Sequence, residues 1–195
     1  MSQPSRSGTD PHDDGTMSTV VLKAMAHPLR RRILNALSAS RSGRAADLAE
    51  RLGVPANKLS LHLRVLADAG LVEEAPELAR DNRDRVWKRV SGDRSLGSPD
   101  SPVEDSALAQ AVLAGFVADY QDVLRRVAAW APGYTSGTDP LVRGNLTEAT
   151  LRMTRERFEQ LADEIAEVVN RYRNEPESGD MLGWDLVIVA ASEEI

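Results

Sequence analysis

Cysteine is absent from the 195-residue sequence. That excludes disulfides, thiolate metal sites and cysteine nucleophiles together. Histidine occurs only as His12, His27 and His62, too few for a zinc site of four good ligands within one chain. No run of about 18 apolar residues occurs, so no membrane-spanning helix is expected. The N-terminus has no apolar signal core, and the expected location is the cytoplasm. Aromatic residues are 4% of the total, which leaves Leu, Val, Ile and Ala to build the core. Glycine-rich phosphate loops, metal-binding helix motifs and nucleophile–histidine arrangements are missing too. Neither an enzyme nor a cofactor is expected.

What is present is unevenly charged. The net charge of −6 looks wrong for a protein that meets nucleic acid, but it is an average. Residues 17–95 carry 15 Lys and Arg against 9 Asp and Glu, whereas residues 96–195 carry 8 against 18. One segment is suited to a polyanion and the other is not. Arginine outnumbers lysine 21 to 3. With abundant alanine, this reads as the bias of a G+C-rich genome, so arginine abundance alone carries little functional weight.

Periodicity divides the chain further. Residues 1–16 are rich in Gly, Pro, Ser and Asp and read as a disordered tail. "MSTVVLKAMA" reads as a short helix ended by "HP", and Pro28 suits the first turn of the next. Ile33, Leu34 and Leu37 share one face of that second helix. "RAADLAERLGVP" reads as a helix stopped by a left-handed Gly53, with a new start after Pro55. In the following helix Leu59, Leu63 and Leu66 recur at spacings of four and three, and Gly70 ends it. Two short helices joined by a tight turn have helix-turn-helix spacing. "LVEEA" and "VWKRV" read as two strands of a hairpin, or wing, whose loop carries Arg80, Arg83 and Arg85. Trp87 is expected to pack that hairpin down, and Met17 and Met25 to lie in the core.

Residues 91–102 have the composition of a linker. Beyond it, a long helix over about 103–130 is expected, with Leu113, Phe116, Tyr120, Val123 and Val127 as a seam for another helix. "APGYTSGTDPLVRGN" reads as loop. "TEATLRMT" alternates like a strand, and Phe158, Leu161, Ile165, Val168 and Tyr172 mark a further helix. "WDLVIVAA" has the composition of a buried strand. The expected fold is mainly α (α+β): a winged helix-turn-helix with a two-stranded wing over residues 17–95, then residues 96–195 with a long dimerisation helix and a small strand-helix-strand region.

The helix over 56–69 carries the functional signal. With its leucines turned inward, Asn57, Leu61, Arg64 and Asp68 form an outward stripe, with Lys58 and Ser60 beside it. Asn pairs bidentately with adenine, Arg with guanine or a phosphate, Leu meets a thymine methyl, and Ser serves either base. On the stripe alone, a solvated face with one stray leucine fits equally well. The turn before it and the basic hairpin after it favour DNA.

The order "KAMAHPLRRRILNAL", "RAADLAERLGVPANKLSLHLRVLADAGLVEE" and "RDRVWKRV" resembles the ArsR-type winged-helix repressors across about 75 residues. The remaining half is similar in layout to an actinobacterial branch of them. The resemblance implies a homodimeric regulator of transcription, with double-stranded DNA, a second copy of itself and possible small organic effectors as partners. Its metal-sensing motifs do not carry over: "AADLAERL" stands where a cysteine motif would, and no histidine lies beyond His62. No metal is therefore expected as the signal. Asn57, Lys58, Ser60, Leu61, Arg64, Arg83 and Arg85 are the expected DNA contacts. Arg30 is expected to bury its stem, and Arg31 has no assigned role. The alternative is a winged-helix module that binds a partner protein instead of specific DNA.

Overall fold

Side-chain caps open the first two helices of the N-terminal region. The computed structural model describes residues 16–80, 85–92, 94–176, 178–179 and 181–194. The Ser18 hydroxyl accepts from the Val21 N–H and opens α1 (Thr19–Met25). His27 Nδ1 accepts from the Leu29 N–H at 3.1 Å and caps α2 (Pro28–Ser40), with Pro28 in the first turn, where its missing N–H costs nothing. After β1 (Ser42–Arg44) come α3 (Ala45–Leu52) and α4 (Ala56–Asp68). Gly53 joins those two helices at φ 65°, a left-handed conformation that residues with a Cβ adopt at a cost. Gly70 plays the same part after α4, where the Leu71 N–H reaches back to the Leu66 carbonyl.

The wing is larger than expected. β2 (Val72–Glu74) and β3 (Val86–Arg89) pair antiparallel as anticipated, with Glu73 opposite Lys88. On the other edge of β3, β1 adds a third strand, with Gly43 opposite Trp87, so the order is β1-β3-β2. The two-stranded wing is thus corrected to three. "SGR" has no apolar alternation to announce a strand, and it pairs because the end of α2 delivers it to the free edge of β3. Trp87 and both Met17 and Met25 are buried. They join Leu22, Ile33, Leu37, Leu48, Leu59, Leu63, Leu66 and Val72 in one apolar core.

The three consecutive arginines of α2 do not form a phosphate patch. Arg30 donates to the carbonyls of Lys23 and Ala24, and Arg31 to those of Met25 and Ala26. Together they satisfy the orphan carbonyls at the C-terminus of α1. Arg32 does the same for α3 through the Leu52 carbonyl, at 3.1 Å.

Contacts group the chain into two compact units. One comprises residues up to Asp122 with the segment from Gly183, the other Val123–Leu182. The long helix α5 (Ser106–Thr135) begins in the first and continues into the second, passing through Pro132. The expected loop from Ala131 thus starts as helix for another turn. In the first unit Ala109 and Val112 are buried and Phe116 packs against the core. In the second, a Cβ on Gly144 would lie 3.1 Å from Val127, so the chain's own loop leans on that residue.

In the second unit α6 (Arg155–Arg173) is capped by Thr154, whose hydroxyl accepts from the Arg157 N–H. None of its residues is buried. The strands expected on either side of it, in residues 147–154 and 184–191, are not formed; both segments lack ladder pairing. A strand exists only with a neighbour, and neither segment has one among the described residues. The strand-helix-strand expectation is corrected to a helix whose flanking segments have no regular secondary structure.

Candidate nucleic-acid interface

The core of α4 determines what its other face presents. Leu59, Leu63 and Leu66 are each 0% exposed, while Leu61, between them in sequence, is 61% exposed. Asn57, Lys58 and Arg64 are exposed beside it and Ser60 is half-buried. A large apolar side chain in the middle of a polar stripe has nothing to pack against in the chain itself. The Ser60 hydroxyl donates to the Ala56 carbonyl at 2.9 Å, which leaves its oxygen able to accept. Asn57 Oδ1 accepts from the Lys58 N–H at 2.8 Å; its second lone pair and its amide N–H groups remain for an adenine edge.

The wing closes on the same face. Ser60 and Arg64 of α4 share a cavity of about 200 Å³ with Ala45, Arg85 and Trp87. Two arginines lining one small cleft suit a phosphate oxygen. Arg85 also pairs with Glu74 at 3.3 Å, but both side chains are largely solvated, so this contact is weak and exchangeable. Lys88 is held by Glu73 and Glu77. Arg83, expected to contact DNA, lies outside the described residues. Sequence reasoning did not foresee that Arg64 and Arg85 meet in one cleft, because the hairpin's return onto α4 is a long-range contact.

Of the two histidines of this region, His62 is buried and His27 half-buried. The rings of His27 and His62 lie 4.5 Å apart, centroid to centroid. His62 is buried, and its Nδ1 has no hydrogen-bond partner. Among the described residues no three His, Asp or Glu side chains come together as metal ligands would. Burial pushes the pKa of each imidazole down, and the positive charges of Arg30 and Lys58 add to this. His27 Nδ1 is the acceptor that caps α2, so a second proton there would remove the cap.

Acid sensitivity follows. The folded chain holds these imidazoles neutral below the ordinary histidine pKa of about 6.5, where the unfolded chain protonates them. Their contribution to stability is therefore present in full above about pH 6.5 and is lost as pH falls through the lowered folded values. Thermal unfolding is expected at a lower temperature at pH 5 than at pH 7.5, with a smaller drop in His62→Gln. Equal drops in the two proteins would assign the acid sensitivity to other groups.

The helix-turn-helix domain family model matches residues 25–75. HlyU from Vibrio cholerae is 30% identical, over 37% of this chain and 73% of its own, with a TM-score of 0.32. A possible transcriptional regulator for arsenical resistance is 28% identical, over 55% of this chain and 92% of its own, with a TM-score of 0.31. A mutant of ZitR from Lactococcus lactis, in apo form, is 13% identical, over 77% of this chain and 83% of its own, with a TM-score of 0.34. No curated protein matches the chain. Among the described residues no helix is long and apolar enough to cross a membrane. With a helix-turn-helix formed by α3 and α4 and a wing folded against it, the chain belongs to the ArsR-type winged helix-turn-helix transcriptional regulators.

Proposed function

We propose that the chain is a cytoplasmic homodimeric repressor that reads an inverted-repeat DNA site with α4. The observation that carries this is the exposed Leu61, flanked by Asn57, Ser60 and Arg64, on a helix whose other leucines are fully buried. In a major groove that leucine meets a thymine methyl and its neighbours meet base edges. Lys58, Arg83 and Arg85 contact phosphate, and Arg64 shares its cleft with Arg85, so it also grips the backbone. The seam of α5 joins the two copies through Leu113 and Tyr120, which are exposed, with Val123 half-buried in the next turn. Phe116 and Val127 contribute less, since the chain's own residues already cover them in part. Two reading helices then enter successive major grooves roughly 34 Å apart. An effector, if the protein uses one, acts through residues 96–195 and is an organic molecule or a partner protein, because soft metal ions need thiolate or imidazole ligands.

Sequencing the DNA that the protein selects from a random duplex pool tests the reading. The expected result is an inverted repeat; the absence of any enriched motif would favour a protein-interaction module instead. On the selected site, Asn57→Ala is expected to cost about 1–3 kcal/mol at one base position, while Lys58→Ala weakens all sequences alike. Equal loss on selected and random DNA in Asn57→Ala would remove Asn57 from base reading.

A further inference from the structure

Arg31 is the one charged residue that the fold takes almost entirely out of water among the described residues, at 4% exposed. All five of its N–H donors are used. Nε and Nη2 donate to the two carboxylate oxygens of Asp119 at 2.6 and 3.3 Å. Nη2 also donates to the Gly115 carbonyl at 3.2 Å. Nη1 donates to the carbonyls of Met25 and Ala26 at 3.0 and 3.4 Å. The guanidinium therefore joins the end of α1, the body of α2 and one turn of α5. Gly115 explains how it fits: a Cβ there would stand 2.6 Å from the guanidinium carbon. Glycine is disfavoured inside a helix relative to alanine, and here it leaves the space that the arginine fills.

We propose that Arg31, Gly115 and Asp119 are positioning residues for DNA binding: a clamp that fixes α5 at one angle and one register on the reading domain, and so sets the distance between the two reading helices of a dimer. This rests on the dimer reading above. The apolar contacts of Val112 and Phe116 hold α5 against the core, but apolar burial is non-directional and tolerates rotation and slip. Five hydrogen bonds from one planar group admit a single arrangement. Asp119 is half-buried, with 31% of its side chain exposed; an ion pair drawn out of water in this way contributes little net stability against an apolar replacement of similar volume, and the best attested use of such groups is to fix a register. α2 carries Arg31 on one side and packs Ile33 and Leu37 into the core shared with Leu59 and Leu63 of α4. A change of angle at the clamp is therefore passed to α4 with no flexible joint between.

The test compares wild-type protein with Gly115→Ala, Arg31→Lys and the double variant Arg31→Met with Asp119→Leu. Each is measured by sedimentation and thermal unfolding, then on duplexes carrying two selected half-sites whose separation changes one base pair at a time, and on a lone half-site. Wild type should show a sharp optimum of separation. The double variant, whose apolar pair replaces the ionic one, should fold, dimerise and bind the lone half-site like wild type. At the optimal separation it should lose at least tenfold in affinity, with a flattened preference among separations. Gly115→Ala, which displaces the guanidinium, should behave alike, and Arg31→Lys, with three donors in place of five, should not rescue. A folded dimer with the wild-type separation preference in either Gly115→Ala or the double variant overturns the clamp alone. Failure of both to fold makes the cluster a folding requirement and overturns the positioning role. A monomeric wild type overturns the dimer reading and the clamp with it.

Discussion

Charge introduced on the solvent side of α5, as Leu113→Glu with Val117→Glu, is expected to convert the protein to a folded monomer at micromolar concentration. These two side chains are 50% and 45% exposed in the single chain, so glutamate there stays hydrated and costs the fold little. In a dimer the same positions would place carboxylates in an apolar contact without partners, a cost of several kcal/mol. Losing the second reading helix removes the intramolecular second binding event, and with it about 10²–10⁴-fold in affinity for a two-half-site duplex. Affinity for a lone half-site should hardly change. Phe116→Glu is different: it puts a charge against the core of the winged helix and should unfold it. Sedimentation of the double variant as a dimer would move the dimer contact off this face of α5. The expected seam had named Leu113 and Tyr120 but not Val117.

Leu63→Ala is expected to destabilise the reading domain by about 2–5 kcal/mol. Leu63 is completely buried in the core that also holds Leu59 and Leu66 of α4 and Ile33, Leu34 and Leu37 of α2. Against a typical total of about 5–15 kcal/mol, that loss leaves a marginal domain. At about 4–8 °C per kcal/mol for a domain the size of residues 17–95, the melting temperature falls by roughly 8–40 °C. Leu61→Ala, on the opposite face, should leave the melting temperature nearly unchanged and alter only DNA binding. A pair of melting curves followed by helicity separates the two; similar drops in both variants would mean that α4 does not face as described.

The reading helix was legible in sequence because its information is local. Leu59, Leu63 and Leu66 repeat at the period of a helix, so the inward side is determined within ten residues, and the outward side follows. Gly53 and Gly70 were legible for a related reason: a left-handed residue after a helix is a property of one backbone position. The segments flanking α6 show the limit of such patterns. Alternation in 147–154 and an apolar run in 184–191 describe what a strand would bury, but pairing needs a second backbone beside the first. β1 fails in the opposite sense: "SGR" has no pattern, yet it pairs because a strand edge is brought to it.

Arg31 marks the boundary most clearly. In sequence it is one of three arginines in a row in a basic segment, and the helical period points to Arg30, not Arg31, as the one turned inward. The sequence alone determined a winged helix, the inward and outward faces of α4, and a basic reading half joined to an acidic one. Only the tertiary structure decided that Arg31 turns inward, because its partner Asp119 lies 88 residues away and the room for it is left by Gly115 on the same distant helix. The same holds for α5, where Val112 and Phe116 face the chain's own core and Leu113 and Val117 face out. A helical period shows which residues share a side. Which of two adjacent apolar stripes is covered depends on where the helix docks, and that is settled by contacts between segments far apart in the chain.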